Sequence, residues 1–147
     1  MSRFLDDLTI TPLDDGRHFR LNTPFDYHIG GADSPNTISV PAGFVTDFAS
    51  TPRLVWVFFP PEGQYDRAAC LHDWLYRTRK VSQTDPRLYA PRTWYVTRKQ
   101  ADGVLWEAMQ VAGCGAWTRG CIWAGARIGG WLTWLAYRRQ DAREAVR

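Results

Sequence analysis

The stretch Tyr65-Asp66-Arg67-Ala68-Ala69-Cys70-Leu71-His72-Asp73-Trp74-Leu75-Tyr76 decides how this chain is read. Positions 65, 68, 69, 72, 75 and 76 share one face at helical spacing. Tyr65, Ala68, Ala69, Leu75 and Tyr76 make that face apolar, and His72 sits in its middle. A later segment repeats the pattern. Asp102, Leu105, Trp106 and Met109 form one stripe, so a carboxylate also lies on an apolar face. A buried, unpaired carboxylate costs several kcal/mol or shifts its pKa strongly. A buried His likewise needs a partner. If the two helices pack antiparallel, Asp102 accepts from the His72 ring N–H. That bond fixes the tautomer and leaves the other ring nitrogen as a base. Asp73 lies about 100° round the helix from His72. It therefore points beside the imidazole, where it could hold a cation. Tyr76, one turn from His72, is placed either to hydrogen-bond Asp102 or to pack. A satisfied core His and an anchoring Asp are the structural alternative for the same residues.

Working outward, the helix that carries His72 runs from about Tyr65 to Arg79. Thr97 opens the helix that carries Asp102, with Gln100 three residues on as a capping box, and Gly113 closes it. A last helical region spans about Ala116 to Ala145. Its Gly120, Ala124, Gly125, Gly129 and Gly130 permit close packing and cost helix stability. Upstream, Ser50-Thr51-Pro52 signals a helix start, with Pro60-Pro61 as its stop. Residues 80–96 hold two prolines and no clean period, which predicts a loop.

The first third reads differently. His18 to Leu21 and Phe25 to Ile29 alternate with period two. Gly30 to Asn36 has turn composition, and Thr37 to Val40 is a return strand. A small antiparallel sheet is expected over roughly residues 2–46. The fold class is then α+β in one domain, with a β-rich part over 1–46 and a helical part over 47–147.

Composition sets the outer bounds. The 147 residues are 45% hydrophobic and 22% charged, which is globular rather than disordered. Aromatic content is high at 14%, with 8 Trp, 6 Tyr and 7 Phe. Eight of these rings lie between Phe44 and Tyr76, around the His72 motif. Three scattered Cys exclude a disulfide scaffold and a four-Cys zinc site. The start, MSRFLDDLTI, has no long apolar run and predicts no secretory signal. The longest weakly charged run, Gly120 to Tyr137, has Arg127 in its middle, so no spanning helix is expected. Synthesis in the cytoplasm is the expectation. Net charge is +3, divided as −5 over residues 1–66 and +8 over residues 67–147. The basic half is either a solvated helical surface or a face for phosphate. No nucleic-acid motif accompanies it, so lipid or a protein partner is favoured over nucleic acid.

Val40-Pro41-Ala42-Gly43-Phe44-Val45-Thr46-Asp47-Phe48-Ala49-Ser50-Thr51-Pro52-Arg53 is the other dense stretch. Gly43 permits backbone geometry that other residues avoid. Asp47 and nearby carbonyls could supply hard oxygen ligands to calcium. Alternatively, Asp47 tethers the loop or caps the next helix.

These segments resemble a family of small phage and prophage proteins of unknown function. The resemblance rests on Val40 to Pro52, on Ala69 to Tyr76 and on Ala101 to Met109, and it covers roughly residues 38–135. It implies a phage origin, with the protein made in the host cytoplasm and carried in the virion or used in assembly. A second resemblance is to calcium-dependent phospholipases A2, especially small bacterial and viral ones. Ala69-Cys70-Leu71-His72-Asp73-Trp74-Leu75-Tyr76 is similar to their His-Asp helix, and Asp102 occupies the place of the carboxylate behind the His. That resemblance implies a phospholipase A2-like helical core. It also implies His72 as general base, Asp102 as orienting carboxylate and Asp73 as calcium ligand. Thr46 and Asp47 would fill the place of an upstream Thr-Asp that helps bind calcium. The Gly-rich calcium loop and the disulfides of the animal enzymes are absent.

Two classes of function follow. One is a calcium-dependent phospholipid ester hydrolase, in which Trp117, Trp123, Trp131, Trp134 and the C-terminal basic residues suit an anionic lipid interface. The same Trp residues suit core and oligomer packing. The other is a non-catalytic tail, head or assembly protein, in which His72 and Asp102 are a structural pair and the partners are other phage proteins or further copies of the chain. A hydrolase using another metal ion, held by His72, Asp73 and Asp102, is a third and weaker option.

Overall fold

In a computed structural model, residues 4, 7–15, 18–46, 65–84, 87 and 89–146 are described. They form two small antiparallel sheets and three helices, an α+β arrangement. The first sheet has the order β1(Ile10–Pro12), β2(Phe19–Leu21) and β5(Val45–Thr46). Pro12 lies on its edge strand, where a missing N–H is tolerated. The second sheet has the order β3(Phe25–His28), β4(Asn36–Val40), β6(Lys80–Gln83) and β7(Arg92–Tyr95). The helices are α1(Asp66–Thr78), α2(Arg98–Val111) and α3(Ala116–Glu144).

Alternation decides β3 and β4. Phe25, Tyr27, Ile38 and Val40 all turn inward and are buried, and the register pairs Phe25 with Val40 and Tyr27 with Ile38. Two expectations are corrected. The single sheet over 2–46 is two sheets, and the loop expected over 80–96 contains β6 and β7. Each of these strands has four residues, and Val81 is the one fully buried apolar side chain among them. So short a pattern has no visible period. The strands exist because β6 pairs with the distant β4, through Asn36–Gln83 and Thr37–Ser82. The β-structure thus extends into the part of the chain expected to be helical. The helix expected after Ser50-Thr51-Pro52 lies outside the described residues.

The sheets and helices share one apolar cluster, which includes Tyr27, Ile38, Leu71, Leu75, Val81 and Met109. Glu107 fastens α2 to this frame. Its Oε1 accepts from the Tyr27 hydroxyl at 2.9 Å and from the Gly30 N–H at 2.8 Å. Gly30 holds φ at +88°, a left-handed geometry that costs little without a Cβ.

Helix α2 begins as its sequence dictates. The Thr97 hydroxyl accepts from the Gln100 N–H, and the Gln100 side chain accepts from the Thr97 N–H at 2.8 Å. Thr97→Ala should cost about 1 kcal/mol, read as a lower urea midpoint with an unchanged slope.

Among the described residues, no helix is long and apolar enough to cross a membrane.

Candidate functional site

Helix α1 buries Ala68, Cys70, Leu71, His72, Leu75 and Tyr76. Helix α2 packs against it and buries Ala101, Asp102, Val104, Leu105, Ala108 and Met109. The two polar exceptions meet between the helices. His72 Nε2 lies 2.9 Å from Asp102 Oδ1, with His72 at 7% and Asp102 at 1% exposure. The Tyr76 hydroxyl donates to the same oxygen at 2.6 Å. The His72 and Tyr76 rings lie 4.1 Å apart, so the phenol also packs on the imidazole.

Trp106 departs from the expected stripe. It is 36% exposed and lies edge-on to Trp123. The buried face of α2 is centred on Ala101, Leu105 and Ala108. Asp102 lies toward one border of that face, and Trp106, about 40° further round, falls outside it.

Two cations complete the cluster. Arg127 of α3 donates from Nη1 to Asp102 Oδ2 at 2.7 Å. Arg98, at the start of α2, places Nη1 3.7 Å from the same oxygen. Neither contact follows from the His-Asp spacing. Arg127 left one signal: a lone charge inside the apolar run from Gly120 to Tyr137 needs a partner.

Electrostatics follow from this geometry. Burial alone would raise the Asp102 carboxyl, but hydrogen bonds from His72, Tyr76 and Arg127 outweigh it and hold the group below the ordinary carboxylate range. Burial lowers the His72 pKa from its ordinary 6.5, against the pull of Asp102 and with help from Arg98. The pull of Asp102 is weakened because its charge is already shared with two guanidiniums. His72 is therefore neutral at pH 7. If Asp102 is ionised, Nε2 carries the proton. Nδ1 then presents a lone pair and has no hydrogen bond among the described residues. Burial, and then the bond to Asp102, push the Tyr76 phenol up, so it stays protonated and donates. Burial also pushes the Cys70 thiol up, which removes it as a nucleophile.

The upstream motif is delivered to the same helix. Gly43 adopts φ +82°, and its N–H donates to the Leu21 carbonyl at 2.7 Å. The turn leads into β5, where Thr46 is 1% exposed and donates its hydroxyl to Asp73 Oδ2. Phe44 meets Trp74 edge-on at 5.1 Å and fixes the same approach. Thr46 is thus brought to Asp73, the residue next to His72 in the chain, while Gly43 shapes the turn that leads to Thr46. Asp47 lies outside the described residues.

Among the described residues, no group of three His, Cys, Asp or Glu is assembled as a metal cage. Asp73 and Thr46 offer only hard oxygen donors, the type that suits calcium. A cleft of about 410 Å³ opens beyond the end of α1, lined by Arg77, Arg79, Lys80, Tyr95 and Gln140 among others. His72, Asp73 and Asp102 do not line it.

The fold and cluster define an α+β protein with a His-Asp-Tyr constellation buried between two helices. The chain belongs to the family described as proteins of unknown function, DUF1353, which matches residues 19–126. That span contains His72, Asp73, Tyr76, Asp102, Gly43 and Thr46, and it ends one residue before Arg127. No curated protein and no solved structure matches the chain.

Proposed function

We propose that this is a phospholipase A2-like hydrolase of phospholipid esters, encoded by a phage, made in the host cytoplasm and acting on bacterial membrane lipid. The observation that carries the reading is the 2.9 Å contact from His72 Nε2 to Asp102, which directs Nδ1 away from the carboxylate. His72 Nδ1 takes a proton from water as that water attacks the ester carbonyl carbon. Asp102 holds the imidazole in its tautomer and stabilises the imidazolium that forms. Tyr76 fixes the carboxylate by its 2.6 Å bond. Asp73, with Thr46 and Asp47, would hold calcium, and bound calcium would polarise the ester carbonyl. Water is the nucleophile, so no covalent intermediate is needed.

The test is fatty-acid release from mixed phosphatidylglycerol and phosphatidylethanolamine vesicles, with calcium and with chelator. Wild type should release fatty acid with calcium, and His72→Asn should lose at least about a hundredfold of the rate, the low end of what a positioned base supplies. Chelator should abolish release. No release from any vesicle by folded protein would sink the hydrolase.

The full compensation of Asp102 by Arg127 and Arg98 favours a second reading. There the cluster is a closed structural network in a non-catalytic virion or assembly protein, and His72→Asn lowers stability without any activity to lose.

A further inference from the structure

Helix α3 is apolar on two opposite sides. Ile122, Ala126, Gly130 and Trp134 face inward and pack on the core. The opposite side carries Trp117, Ile128, Trp131, Leu132 and Leu135, which are 80%, 76%, 50%, 61% and 40% exposed. Taking ~200 Å² for a Trp, these five side chains offer on the order of 600 Å² of apolar surface. That is at the upper limit of what monomers leave uncovered, ~600 Å², and close to the ~800 Å² each partner gives a standard interface.

The spacing is more specific than the area. Residues 117, 121, 124, 128, 131 and 135 recur alternately four and three apart, which is the heptad spacing of a helix–helix seam. A helix lying on anionic lipid has cations bordering its apolar face. Between 117 and 135 the basic residues are Arg119 and Arg127. Arg119 lies over the Trp106 ring and Arg127 bonds Asp102, so neither guanidinium borders the outer stripe.

We propose that α3 is a self-association seam, on which the α3 of a second copy lies antiparallel about a two-fold axis near residue 126. In that register Trp117 of one copy faces Leu135 of the other, Cys121 faces Trp131, and Ala124 faces Ile128. Each large side chain meets a smaller one, as close packing requires. Gly125 lies beside the axis, where the backbones can approach. A parallel, in-register pair would set Trp117 and Trp131 against their own copies and leave voids at Cys121 and Ala124. The proposal does not depend on the hydrolase reading.

Light scattering on the eluting full chain tests it. Twice the chain mass is expected at tens of micromolar, on the order of the weaker specific affinities. Ile128→Glu, at an exposed position, should give the single-chain mass with an unchanged circular dichroism spectrum. Its melting temperature should match that of wild type at concentrations low enough for wild type to be a single chain. Wild type that stays single up to about 100 μM, or a dimer that survives Ile128→Glu, overturns the seam. The register is tested by oxidising Ala124→Cys/Ile128→Cys in a Cys121→Ser background. A covalent dimer is expected, and a dimer that fails to cross-link overturns the antiparallel register. Wild type that instead cross-links through Cys121 shows a parallel pair and also overturns it. A monomer that sediments with phosphatidylglycerol vesicles, and loses this in Ile128→Glu, assigns the stripe to lipid and not to a second copy.

Discussion

Asp102→Ala should destabilise the protein by about 3 kcal/mol, the low end of what breaking a buried charge pair costs. The substitution removes the acceptor of His72, Tyr76 and Arg127 at once. Tyr76 then has a buried hydroxyl without its partner, a cost of about 1–3 kcal/mol by itself. The low end applies because Arg127 and Arg98 keep 32% and 24% of their side-chain surface exposed and can turn toward water. Asp102→Asn keeps the shape and one acceptor oxygen, so it should cost less. Urea unfolding of both variants gives the comparison. A loss under about 1 kcal/mol for Asp102→Ala would mean that the network contributes little, as exposed ion pairs do.

The same cluster sets how stability responds to acid. His72 has a folded pKa below its ordinary 6.5, so below that pH the unfolded chain takes up the proton first. Stability therefore begins to fall as pH drops below 6.5. Asp102 also has a depressed folded pKa, so its contribution is complete above the ordinary 3.8 and is lost as pH falls through the folded value. Both steps have the same sign. Wild type should lose stability in two stages on acidification, and Asp102→Ala should lack the lower one.

How far this site could be seen in the sequence depends on what each contact needs. The His72–Asp102 meeting was legible because each helix had one polar residue on an apolar face, and two such exceptions satisfy each other. The start of α2 was legible because Thr97 and Gln100 form a cap within one turn. The contact of Tyr76 with Asp102 was half legible: the one-turn spacing admitted it beside packing, and both are realised. Arg127 showed as a charge in need of a partner, but which group it meets was not legible, since it comes from a third helix whose two apolar sides look alike in sequence. Strands β6 and β7 were hidden for a related reason. Of the strong β-formers Lys80–Gln83 holds only Val81, and what makes it a strand is pairing to β4 some forty-five residues earlier. Arg92–Tyr95 has Thr93, Trp94 and Tyr95, but it is a strand through its pairing to β6. Local pattern reveals what local physics decides, and it is silent where a distant neighbour decides.

The neighbouring glycines Gly129 and Gly130 should respond to alanine with opposite signs. Alanine is favoured over glycine within a helix by about 1 kcal/mol. A Cβ at Gly129 would meet nothing within 4 Å, so Gly129→Ala should stabilise by up to that amount. A Cβ at Gly130 would lie 2.7 Å from the Tyr76 hydroxyl and 3.0 Å from its ring. The hydroxyl is the far end of a side chain, but this one cannot swing aside freely. It is bonded to Asp102 and held between His72 and Trp134, whose ring meets it edge-on at 5.2 Å. Relief therefore requires α3 to move out or the Tyr76–Asp102 bond to break. Overpacking of this kind costs about 1–3 kcal/mol, which exceeds the helix gain, so Gly130→Ala should destabilise by about 1–2 kcal/mol. Gly130→Ala combined with Tyr76→Phe removes the clashing oxygen and should recover part of the loss. Equal effects of alanine at 129 and 130 would show that α3 does not pack on Tyr76 as closely as the 2.7 Å approach requires. If His72 is the base, Gly130→Ala should also slow ester hydrolysis while Gly129→Ala leaves the rate unchanged, because only the former reaches Asp102 through Tyr76.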